Sequence, residues 1–265
     1  MARSKTAATR AGELSISRDG DVAVLHLNRP HKRNALADGI VGELDAFFSA
    51  MPADVRAVVI AGHGEHFCAG LDLSELKSRD AVEGMHHSRN WHRIFEKIQF
   101  GRVPVVAVLH GAVIGGGLEL ACAAHIRVAE ASAFYALPEG QRGIFVGGGG
   151  SARLPRLIGV HRMADMMLTG RVYQADEGER VGFSQYLVGT GEGMARGLEL
   201  AHKVAANSAM TNYAVMHALP RIAEASQDGG LFTESLIAAI TQSSPEAKER
   251  VRTFLDGRAA KVKPK

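Results

Sequence analysis

Short apolar runs alternate with amphipathic stretches through the first two hundred residues, and after that the apolar spacing is helical alone. This change of period limits the chain to an α/β core followed by a helical segment. Residues 14–17, a turn at Asp19 and Gly20, and residues 22–27 read as a hairpin. Residues 55–60 and 105–109 are apolar with little alternation, as expected of strands buried on both faces. Asp38 is placed to cap a helix carrying Ile40, Val41, Leu44, Phe47 and Phe48, which Pro52 stops. A loop over residues 62–70 precedes a helix with His86, Ile94, Phe95 and Ile98, and residues 126–129 and 134–136 read as short strands. Helical spacing then covers residues 194–206, 213–225, 231–241 and 245–255, with Pro245 suited to a first turn. The expected organisation is a tail over 1–12, a core over 13–195, a helical segment over 196–258 and a tail over 259–265.

Composition narrows the function. The 30 glycines cluster instead of repeating, which points to sharply bent functional loops. A net charge of +3 is too small and scattered to indicate nucleic acid. Cys68 and Cys122 form no disulfide framework and suit a reducing, cytoplasmic setting. No apolar run reaches bilayer-spanning length, so no membrane partner is expected. There is no P-loop motif. Gly62 and Gly64 begin a dinucleotide fingerprint that Phe67 breaks, and Ser151 lacks the second glycine of a nucleophile elbow. His63, His66 and Cys68 read as a polar surface loop and not as metal ligands. His86, His87 and His92 read as a solvated helix face in preference to a pocket wall.

Two loops have the makings of an anion cradle. In one, Ala69 and Gly70 let a ligand approach the backbone closely. In the other, glycines 115–117 open a helix whose first amides are unpaired. Glu119 lies in the first turn of that helix and can face the same cavity as the Gly116 amide. Glu139 follows a short strand twenty residues on. Two carboxyls flanking one water can remove and deliver protons on the same substrate, and their titrations would be coupled.

Asn28-Arg29-Pro30 with Asn34-Ala35-Leu36, the run from Phe67 through Leu73, Gly115-Gly116-Gly117-Leu118-Glu119, Pro138-Glu139 and the stretch from Gly149 to Arg156 together resemble the enoyl-CoA hydratase (crotonase) family, over about residues 14–257. The resemblance implies a spiral of repeated ββα units with C-terminal helices that form trimers or hexamers. It implies an oxyanion hole from the N–H groups of Leu71 and Gly116, with Glu119 and Glu139 as catalytic residues, Glu139 serving C2 and Glu119 the water. It places the coenzyme A thioester substrate near Arg29, Arg33, Ala35, Ala69, Asp72, Leu73, Ser74, Gly115, Pro138 and Phe254. No permanently bound cofactor or metal is implied. Ser74 and Gly257 stand where some relatives carry phosphate-binding lysines, which leaves Arg29, Lys32, Arg33 or Arg258 for that task. Relatives that isomerise dienes or dehalogenate carry an aspartate at the position of Gly147, which favours hydration. Isomerisation, thioester hydrolysis, hydration with cleavage, and plain acyl-CoA binding are the alternatives.

Overall fold

The computed structural model describes residues 12–75 and 79–258. Strands β1 (Leu14–Asp19) and β2 (Val22–Leu27) form the expected hairpin. Helix α1 (Asp38–Ser49) follows, then β3 (Ala57–Gly62), α2 (Ala81–Gln99), β4 (Val105–Leu109), β5 (Ala112–Ile114), α3 (Gly116–Ala123), β6 (Ile126–Glu130) and β7 (Phe134–Ala136). Next come α4 (Gly150–Arg153), α5 (Pro155–Ile158), α6 (Val160–Thr169), β8 (Tyr173–Gln174), α7 (Ala175–Val181), β9 (Tyr186–Val188) and α8 (Gly193–Ala205). β1, β2, β3, β4, β6 and β9 lie in that order in one sheet, parallel from β2 onward, and β5, β7 and β8 make a smaller sheet. Each wind of the chain thus runs from the large sheet to the small one and out through helix, as in β4–β5–α3. This is the expected spiral of ββα units.

Strand parity divides the core. Leu25, Leu27, Val58, Ile60, Val105 and Leu109 point to the side covered by α1 and α2. Val22, Val24, Val59, Val106 and Val108 point to the other, where Leu200, Ala201 and Ala205 of α8 meet them. The central strands are therefore buried on both faces, which explains their unbroken apolar runs. Because α8 packs on this sheet, the first compact unit extends to Ala205, and the second begins at Ala206. The second unit consists of α9 (Ala209–Glu224), α10 (Gln227–Ser243) and α11 (Pro245–Leu255). Ser226 and Ser244 cap the last two by accepting from the amides of Gly229 and Ala247.

Asp38 does not cap α1. Ala37 holds that position, and the Asp38 carboxylate instead meets His87 at 3.0 Å on α2. Helix α2 carries the stronger signal: Asp80 accepts from the Glu83 amide and the Glu83 side chain accepts from the Asp80 amide.

Candidate active site

Hydrogen bonds between successive winds bring the expected segments together. The Cys68 amide donates to Ala112 and the Ile114 amide to Cys68, so residues 67–70 run beside β5. β5 pairs with β7, and the Gly115 amide donates to Ala136. Residues 70–71, 115–116 and 137–139 consequently emerge side by side at the ends of β5, β7 and the bridged segment beside β5. A Cβ on Gly116 would stand 3.5 Å from the Leu71 nitrogen, so the two amides are near neighbours. Leu71 is flanked by amide–carbonyl pairs that tie its strand to Leu36, yet among the described residues neither its own N–H nor that of Gly116 donates to a protein acceptor. Both residues line a cavity of about 450 Å³ together with Glu119 and Glu139.

The two glutamates are held differently. Glu119 is 3% exposed, and its Oε1 accepts from the amides of Gly148 at 2.8 Å and Gly150 at 2.7 Å. Burial pushes its carboxyl up from the ordinary range, while the amides of Gly150 and Gly148 pull the other way by favouring the anion. Glu139 is 8% exposed, and its Oε2 has no hydrogen-bond partner among the described residues. Burial above all, with the charge of Glu119 adding to it, pushes Glu139 up to about 7 despite the opposing Arg142 guanidinium. Gly115, at φ 52°, lies so close to Glu139 Oε1 that any side chain there would collide with it.

The other expected contacts divide in two. Arg29 and Asp72 turn inward. The Arg29 guanidinium donates to Asp72 at 2.9 Å and to the Ala35 carbonyl at 2.7 Å, and it pairs with Glu13. The Ser74 hydroxyl, ahead of Arg29, holds the Asp72 carboxyl down to about 2. These two side chains brace the loops and do not present themselves to a phosphate, as a pairing this complete satisfies a buried charge from within the protein. Arg33, Leu73 and Ser74 are exposed, as is Lys32, which donates to Ser74 at 3.1 Å. Ala35 is buried, Pro138 is partly buried, and Ala69 is partly exposed on the strand that leads to Leu71. Phe254 lies on α11 in the second unit, 55% exposed, and Arg258 of the same unit pairs with Asp256.

Helix α2 supplies one wall of the cavity. Gly84, His87, Ser88 and Trp91 form one face of it and line the cavity opposite Ile144, Phe145 and Val146. The Trp91 ring edge stands 3.2 Å from where a Cβ on Gly116 would be. The 3- and 4-residue spacing of 84, 87, 88 and 91 was the available signal. His66 and Cys68 serve the fold: His66 Nδ1 accepts from the Ala112 amide, and the buried Cys68 thiol is pushed up to about 12 by desolvation.

The model of the family described as "Enoyl-CoA hydratase/isomerase" matches residues 17–265. The short-chain-enoyl-CoA hydratase of Clostridium acetobutylicum is 31% identical over 92% of this chain and 94% of its own. The 2,3-dehydroadipyl-CoA hydratase of Escherichia coli K12 is 30% identical over 95% of this chain and 98% of its own. A crystal structure from Rhodopseudomonas palustris CGA009, provisionally named an enoyl-CoA hydratase, is 63% identical with a TM-score of 0.91, covering 97% of this chain and all of that one (100%).

Proposed function

Because the chain belongs to the enoyl-CoA hydratase/isomerase family, we propose that it adds water across the 2,3 double bond of a 2-enoyl-CoA thioester to give a 3-hydroxyacyl-CoA, and catalyses the reverse. The thioester oxygen lies between the amides of Leu71 and Gly116. Charge grows on that oxygen as water attacks C3, and two preorganised donors bind the enolate more strongly than the neutral carbonyl. Glu119 takes the proton of the attacking water, and Glu139 gives its own to C2. The proton on Glu119 and the vacancy on Glu139 are then restored through solvent, so the step balances with water as the only co-reactant.

The observation that carries this reading is the unequal treatment of two carboxyls in one cavity. Glu119 accepts two amide hydrogen bonds on a single oxygen, which oppose the upward push of burial and favour its anion relative to a buried carboxyl without them. Glu139 is pushed to about 7 with one oxygen unpartnered, so a large share of it still holds a proton at neutral pH. Replacing either with glutamine should lower kcat by on the order of a hundredfold or more on crotonyl-CoA, longer enoyl-CoAs or aromatic enoyl-CoAs. Near-normal turnover in both variants would end the proposal, and product mass separates simple addition of water from isomerisation or cleavage.

For coenzyme A we assign Lys32, Arg33, Leu73 and Ser74, the exposed members of the two loops beside Leu71. The second unit exposes Tyr213, Leu219, Leu231, Phe232, Leu236, Val251 and Leu255 within some sixty residues, which supports trimers or hexamers built on these helices. Two buried, unbridged cysteines suit a cytoplasmic setting.

A further inference from the structure

The two amides that hold Glu119 belong to two different peptide units, and those units are secured unequally. The Gly149–Gly150 unit is fixed at its far end, because the Gly149 carbonyl accepts from the amides of Ala152 and Arg153 in the first turn of α4. The Gly147–Gly148 unit precedes that helix and has glycine on both sides. A flip of this unit would exchange its N–H for its C=O and turn an oxygen toward a carboxylate. The Gly147 carbonyl, however, accepts from the Ser88 hydroxyl at 2.6 Å, and Ser88 stands on α2, a different element altogether. His92, one turn along α2, places Nε2 3.3 Å from the same hydroxyl, and its ring also stands beside the Gly147 carbonyl. Glu119 on α3 faces the turn together with Arg153 on α4, whose Nη1 donates to the Gly148 carbonyl at 3.1 Å, and the charge of Glu119 is also felt by Glu139 and the buried Cys122 thiol.

We propose that Ser88 is a positioning residue that locks the Gly147–Gly148 peptide in the orientation aiming the Gly148 N–H at Glu119. With both amides in place, both hydrogen bonds fall on Oε1, and Oε2, with the Gly147 backbone also near the carboxyl, meets the attacking water. Without the lock, the peptide samples both orientations, and Glu119 loses a donor in part of the population. The inference rests on Glu119 being the base.

Ser88→Ala tests it, with Ser88→Thr as the variant that keeps a hydroxyl and Glu119→Gln as the reference. Ser88→Ala should lower kcat for hydration about ten- to a hundredfold, the scale of one hydrogen bond to a charged group, with KM little changed. The acidic limb of its kcat/KM profile should move toward neutral pH, because a carboxyl with one donor fewer holds its proton more tightly and the base must be ionised. Ser88→Thr should recover both features. A parental kcat and acidic limb in Ser88→Ala, or a Ser88→Thr enzyme as impaired as Ser88→Ala, would overturn the proposal. If Glu119→Gln itself turns over normally, the reading of the site fails first. If Glu119→Gln is inactive while Ser88→Ala is normal, only the lock fails.

Discussion

Glu139 rests its Oε1 against the bare α-carbon of Gly115, in a space that any larger residue would occupy. The acid and the loop that carries the neighbouring Gly116 amide are thereby fitted to one another without a hydrogen bond between them. Gly115 also has a φ of 52°, which a residue with a side chain adopts only under strain. Gly115→Ala should therefore displace both groups at once and lower kcat/KM on the order of a hundredfold, as a misplacement of about 1 Å can. Steady-state kinetics with circular dichroism, to establish that the fold survives, checks this.

The pH dependence of rate follows from Glu139 at about 7. As the proposed proton donor for hydration it must be protonated. Above neutrality, kcat/KM for hydration should fall about tenfold per pH unit. Glu139→Gln should lose that alkaline limb along with most of its activity.

The same group sets a trend in stability. Its carboxyl is raised from 4.5 to about 7 on folding, so between these values the native state keeps a proton that the unfolded chain has released. Stability should decline as pH rises through that window, by about 3 kcal/mol in all from this one residue, and level off above it. Urea denaturation at pH 5 and pH 8 should show Glu139→Gln gaining on the parent only at the higher pH.

Arg29 and Asp72 form a buried pair at 2.9 Å, so removing one partner strands the other. Asp72→Ala should cost about 3–5 kcal/mol, and Arg29→Met a similar amount, while the double variant should cost less than their sum. A parallel loss of substrate affinity is expected, because this pair anchors the loop leading from Leu71 to the exposed Leu73 and Ser74. A double-mutant cycle in urea measures the coupling.

The exposed apolar helices of the second unit make a further expectation concrete. Phe232 and Leu236 lie one turn apart on α10, at 66% and 50% exposure. Phe232→Glu with Leu236→Glu should reduce a trimer or hexamer to smaller species, read by light scattering on the eluting protein.

Part of the candidate site's geometry was legible, where its residues lie near each other in sequence. Gly116 and Glu119 share the opening turn of one helix, so their common outlook follows from helical spacing alone. Strands β4 and β7 fall where the apolar runs put them, and α11 begins at Pro245 as the first-turn rule requires. Contacts across long separations were not legible. Arg29 next to Pro30 reads the same whether it faces solvent or Asp72, forty-three residues on. The three-residue β5 is too short for any period and exists because Cys68 and β7 flank it. The wall formed by α2 reads as a polar surface, since His87 and Ser88 are what a solvated helix also carries. Only the fold shows that the glycine turn at 147–150 faces them. Helices α5 to α7 are brief, and tertiary packing more than local preference sets their limits.

Because the amides and acids come from consecutive winds joined strand to strand, their spacing is the pitch of the coil itself. Loops that travel between winds can lengthen or be grafted without disturbing that pitch. Deleting a single residue between His110 and Gly116 would put one layer out of step with the next. A scaffold of this kind can vary the acyl groups it admits through its outer loops while its reacting centre stays in register.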